Sequence, residues 1–207
     1  MMRLRQCCAV IALIFTPEAL HAQAATVIRS TALVNFPDGV NYMLFGDLTY
    51  NIGIRTGLTI TVPRGFVTDF ASIPRALHGY LGPTGRYSNA AIVHDYLYWI
   101  QACDRRQSDN LMAIAMREAG VRASEEWQIY HAVRIGGQSA WDRNRAERAD
   151  SLIRTLAPPN DTVPAFLGWN EYRRALKARR TSGGREPAID PAVCRVGNSI
   201  VVPVGPP

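Results

Sequence analysis

The sequence predicts an α+β domain, a small antiparallel β-sheet followed by a bundle of three to four helices. Residues 26–62 are rich in β-branched and aromatic residues and are broken by Asn51, Gly53 and Gly57. Residues 88–156 hold successive runs with helical periodicity, and a Gly- and Pro-rich stretch, 64–88, separates the two halves.

The chain opens with Arg3 and Arg5, an apolar run from Cys7 to Phe15, and small residues Ala22 and Ala24. This is the pattern of a secretory signal peptide over residues 1–24, so the protein is expected to be exported, to the periplasm or beyond. The apolar run is shorter than the roughly 20 residues that span a bilayer, and no later segment approaches that length. Residues 25–157 are expected to form the core domain and 158–207 a C-terminal helix and tail. Cleavage would leave Cys103 and Cys194, and an even pair in an exported chain predicts a disulfide that ties the tail to the helical region.

Within the β-rich part, YMLFGDLTY and GLTITVP predict two or three antiparallel strands. The stretch 64–88 predicts a long ordered loop, a kind of connection uncommon in compact domains unless it serves binding or catalysis. A first helix is predicted from Ser88 to Gln101. At 100° per residue, Ala91, His94, Asp95 and Tyr98 share one stripe, while Ile92, Tyr96 and Trp99 lie on the other side. A second helix starts at Asp104, with Gln107 at the reciprocal capping-box position, and ends at Gly120. Asp109 shares its apolar face with Met112, Ala113 and Met116. A third, from about Ser124, carries Trp127, Tyr130, His131 and Arg134, and Gly136-Gly137 should weaken or bend its far end. WDRNRAERADSLIRTL is expected to continue as helix, APPNDTVP to be a linker, GWNEYRRALKARR a last short helix, and the chain beyond Thr181 mostly loop.

The formal charge is +6, and its excess lies between Trp141 and Arg185. That basic stretch lacks aromatic interleaving or a nucleic-acid motif, so no specific nucleic acid is expected; it reads as a solvated helical surface, with attraction to an anionic phospholipid or envelope polymer as the functional alternative. The chemistry concentrates around His94. A histidine held by a carboxylate can act as a general base on water, because the carboxylate fixes the tautomer and stabilises the imidazolium. Asp109 can serve His94 in this way. Asp95 diverges from His94 by 100° and is available as a metal ligand, with carbonyls of the loop from Gly82 to Gly85 completing an oxygen-rich calcium shell. Further loop candidates are Asp69, Ser72, Arg75 and Tyr87; Ser72 offers a nucleophile but lacks the strand-turn-helix elbow that usually presents one. The alternative is a structural network in which His94, Asp109, Tyr87 and Tyr98 merely satisfy one another. His78 and His131 stand alone, without zinc-site spacing.

VPRGFVTDFASIPR, GRYSNAAIVHDYLY, RRQSDNLMAIAMREAGV and YHAVRIGG, in this order, closely resemble the domain of unknown function family 1353, found in phages and bacteria. The resemblance covers about residues 40–137 and implies a shared fold and site without a settled activity. His94, Asp95 and Tyr98 also match the HDxxY pattern of the secreted phospholipase A2 superfamily, and Asp109 resembles its His-orienting aspartate. That resemblance implies His94 as base, Asp95 as calcium ligand, Asp109 as orienting carboxylate and Tyr98 as its support. The superfamily's cysteines are replaced by Ala90, Ala91 and Leu97, and its calcium loop has only GPTG as counterpart. The leading expectation is an exported His/Asp hydrolase, calcium-dependent and lipid-directed. A phage-derived structural or envelope-associated protein, and a metal-dependent peptidoglycan or protein hydrolase, are the alternatives.

Overall fold

The computed structural model describes residues 31–70, 85–158 and 161–206. Five strands and five helices occur among them, so the expected α+β architecture is found. Strands β1 (Leu33–Asn35), β2 (Tyr42–Leu44) and β5 (Val67–Thr68) form an antiparallel sheet with β2 in the middle. Strands β3 (Leu48–Ile52) and β4 (Leu58–Val62) form a separate hairpin. The β-rich segment therefore supplies four strands in two sheets, and the 64–88 stretch, expected as loop, adds β5. In the hairpin, Leu48 faces Val62 and Tyr50 faces Ile60; all four are buried on the core side. This is the period-2 alternation of a half-buried sheet.

Helix α1 (Ser88–Ile100) is central, with every residue from Ala90 to Trp99 buried. A helix covered all round needs a core on each side. One side meets the β3–β4 hairpin through Tyr50, Ile60 and Val62, and the other meets α2 (Arg105–Glu118) and α3 (Ala123–Ala149). The α2 start is the predicted capping box: Asp104 accepts from the Gln107 amide at 2.7 Å, and Gln107 accepts from the Asp104 amide at 2.9 Å. At its far end, the Glu118 carboxylate accepts from the Tyr50 hydroxyl and from the Gly53 amide, which fastens the hairpin to α2.

Gly136 and Gly137 do not end α3, which runs unbroken through 27 residues. Its true end lies beyond Ala149, where Ser151 takes a left-handed φ of 57° and the Leu152 amide bonds back to the Glu147 carbonyl, the Schellman closure. SLIRTL therefore leaves the helix. Arg154 and Leu156 instead pair with Val67 and Gly65, covering the free edge of β5. Helix α4 (Trp169–Ala178) lies in the predicted short helix, and Trp169 and Leu176 pack with Phe36, Met43 and Val67 in a second apolar cluster.

The tail holds one element not anticipated, α5 (Pro191–Val196), opened by the Asp190 side chain accepting from the Ala192 amide. Cys103 and Cys194 are bonded, as expected. Asn110 donates to the Gly197 carbonyl at 2.7 Å, and Gln107 to Asn198 at 3.0 Å, so the tail lies along α2. No described helix is long and apolar enough to cross a membrane.

The bridge closes a sequence separation of 91 residues. Replacing Cys103 and Cys194 by Ser is expected to lower unfolding stability by about 2–4 kcal/mol, measured by urea denaturation of the oxidised wild type and the variant. An unchanged midpoint would show that the tail contributes no constraint.

Candidate functional site

Helix α1 presents His94, Asp95 and Tyr98 at one end of a cleft of about 500 Å³. The cleft runs along α3 past Val133, Gly137 and Ala140 to Asn144 and Glu147, and is closed by Asp69, Arg154, Trp169 and Arg173. One turn separates His94 from Tyr98, so their rings stack with centroids 4.0 Å apart and both reach α2.

They meet on Asp109, which is wholly buried. His94 Nε2 lies 2.9 Å from Asp109 Oδ1, and the Tyr98 hydroxyl donates to the same oxygen at 2.6 Å. The other oxygen, Oδ2, accepts from Arg105 at 3.2 Å and from Arg134 at 2.8 Å. An ionised carboxylate can only accept, so Nε2 carries the proton and Nδ1 holds the lone pair in neutral His94. Burial opposes the charge on Asp109, but the hydrogen bonds from His94, Tyr98 and Arg134 outweigh it and hold the carboxyl below its ordinary 3.8. For Tyr98, burial and then the neighbouring Asp109 charge push the phenol well above its ordinary range, so it stays a donor.

The expected trio of His94, Tyr98 and Asp109 thus converges. Asp95 points elsewhere, as the 100° step requires: its Oδ2 accepts from the Thr68 hydroxyl at 2.5 Å, joining α1 to β5. Asp69 lies on the cleft wall, paired with Arg154 at 3.1 Å. Gly85 and Tyr87 are not part of this constellation. They flank the start of α1 and line a different hollow with Arg86 and Gly120, about 10 Å along the helix axis from His94. The Gly85 carbonyl accepts from the Ser88 amide at 3.0 Å, which turns it into the helix start and away from Asp95. Asp95 and Gly85, expected to share a calcium ion, therefore do not converge, and this donor pair does not fit that ion. Ser72, Arg75, His78 and Gly82 lie outside the described residues.

Arg105 and Arg134 were missed as partners of Asp109. Arg105 was within reach of sequence reasoning, standing four residues before Asp109 on one helix face. Arg134 comes from α3 and carried no local signal. Gly137 has a packing role: a Cβ built there would lie 2.4 Å from the Tyr98 hydroxyl oxygen, whereas at Gly136 nothing lies within 4 Å.

Residues 43–133 match the model of a family described as a protein of unknown function, DUF1353. The resemblance read from the motifs therefore holds, over nearly the span expected. No curated protein and no solved structure matches the chain. The likeness to the phospholipase helix rests on the residues around His94 alone.

The two glycines predict opposite responses. Gly137→Ala should destabilise the fold by about 1–3 kcal/mol by displacing Tyr98, while Gly136→Ala should be neutral or stabilising by up to about 1 kcal/mol, both read by thermal melting. Asp109 sets an acid limit. Its folded carboxyl titrates below its unfolded value, so its contribution is complete above about pH 4 and is lost as pH falls through the folded value. Melting temperature followed from pH 6 to pH 2 should fall less steeply in Asp109→Asn than in the wild type.

Proposed function

We propose that the protein is a hydrolase in which His94 acts as general base on water in the cleft. The observation that carries this reading is the Nε2–Asp109 contact, which fixes the tautomer of a buried imidazole on the wall of the cleft. In the step proposed, Nδ1 takes a proton from water as the water oxygen bonds to an acyl carbon. The imidazolium, stabilised by Asp109, then returns that proton to the leaving oxygen or nitrogen as its bond to carbon breaks. Tyr98, Arg105 and Arg134 are positioning residues: they hold Asp109, and Asp109 holds the ring.

The cleft walls favour a polar substrate. Asp69, Asp95 and Glu147 stand among Arg143, Arg154 and Arg173, so a long acyl chain would lie against six charged groups. This supports an envelope peptide or similar polar acyl compound over a lipid tail, and the exported location expected from residues 1–24 belongs to the same reading. A second reading has its own observation: Asp109 is inaccessible and receives four donors from three helices, as a purely structural tie would.

Purified protein should be incubated with peptidoglycan sacculi, and separately with anionic phospholipid vesicles in calcium and in chelator, beside His94→Gln. Release of new amine or carboxyl groups from sacculi, lost in the variant while its circular dichroism is retained, is the expected result. Fatty-acid release that requires calcium would instead restore the lipid-directed form. No cleavage of either substrate, with a variant that melts several degrees lower, would leave the network as a structural tie.

A further inference from the structure

The guanidinium groups of the cleft differ in how fully they are engaged. Arg154 is held on all sides: it donates to the Val67 carbonyl at 2.8 Å, to Asn144 at 3.1 Å and to Asp69 at 3.1 Å. Arg173 donates through both terminal nitrogens to Glu147, each at 2.7 Å, while its buried Nε makes no hydrogen bond among the described residues. Arg143 is exposed and makes no ion pair among the described residues. Asn170, in the first turn of α4, lines the same cleft, and the Trp169 amide next to it already donates to Asp38 at 2.8 Å.

This end of the cleft has a fixed position relative to His94. Gly137 touches Tyr98, which stands one turn from His94 on α1, and Arg143 stands six residues beyond Gly137, about 9 Å further along α3 at 1.5 Å per residue. A short extended peptide, at about 3.3–3.6 Å per residue, can reach between the two.

We infer that the Arg143 end of the cleft binds the C-terminal carboxylate of a short peptide whose reacting amide, upstream of that carboxylate, lies at His94. The inference rests on the hydrolase reading and names its substrate class. A planar guanidinium matches a carboxylate in shape and charge. Glu147 and Asp69 already pair with Arg173 and Arg154, which leaves Arg143 as the cleft guanidinium with no ion pair among the described residues; with Asp95 also in the cleft, a monoanion is repelled less than a phosphate dianion.

The test uses the full chain carrying His94→Gln, which removes the proposed base and so prevents turnover. N-acetyltetraalanine, its C-terminal amide and inorganic phosphate are each titrated by calorimetry, with and without Arg143→Gln. The expected result is that the acid binds, and that both amidation and Arg143→Gln weaken binding about tenfold or more, with melting temperature unchanged by the second substitution. Failure of the acid to bind, equal affinity for acid and amide, indifference to Arg143→Gln, or tighter binding of phosphate than of the acid would each overturn the inference. Turnover of the same peptide by unmodified protein is scored separately. Carboxylate-selective binding without turnover removes the hydrolase reading and keeps the subsite; turnover without carboxylate selectivity does the reverse.

Discussion

A single negative charge in a dry place organises this molecule. Asp109 is fully enclosed, and an uncompensated carboxylate there would cost several kcal/mol. Compensation comes from His94 and Tyr98 on α1, Arg105 on α2 itself and Arg134 on α3, so three helices can pack only where all four donors reach two oxygen atoms. That requirement explains the glycine at 137, because Tyr98 occupies the space a side chain would fill. It also fixes the imidazole of His94 in one tautomer and one orientation, the preorganisation that proton transfer needs.

The opposite flank of α2 is held just as firmly, by different chemistry. Asn110, the next residue, donates to Gly197 and accepts from Tyr130; Glu118 reaches the hairpin; the Cys103–Cys194 bond and α5 press the tail onto the same helix. Successive residues of α2 thus serve two neighbours, Asp109 facing His94, Tyr98 and Arg134, and Asn110 facing the tail. The tail braces the helix from behind without approaching the cleft.

What the sequence made legible was local. The capping box of Asp104 and Gln107 is a contact between residues three apart, and it formed as read. The limits of α1 and the convergence of His94, Tyr98 and Asp109 followed from helical periodicity. What escaped depends on partners distant in the chain. Glycine propensity argued for a weakened or bent helix at Gly136-Gly137, but the helix runs on through both, and Gly137 leaves the room that Tyr98 fills. Residues 154–156 return to cover the edge of β5, a pairing between stretches far apart in the chain. Gly85 was grouped with Asp95 by a loop motif, yet the helix start to which it belongs points it elsewhere. The short α5 carried a readable sign, Asp190 followed by Pro191, overlooked within a Pro- and Gly-rich tail.

The two walls of the cleft come from separate stretches of chain. His94, Asp95, Tyr98 and Asp109 lie within residues 43–133, which match the family model, whereas Arg143, Arg154, Trp169 and Arg173 lie beyond it. On the proposed hydrolase reading, reactivity belongs to the first of these passages and choice of ligand to the second, so substitution in the second would retune what enters the cleft while the ring and its carboxylate stay as they are.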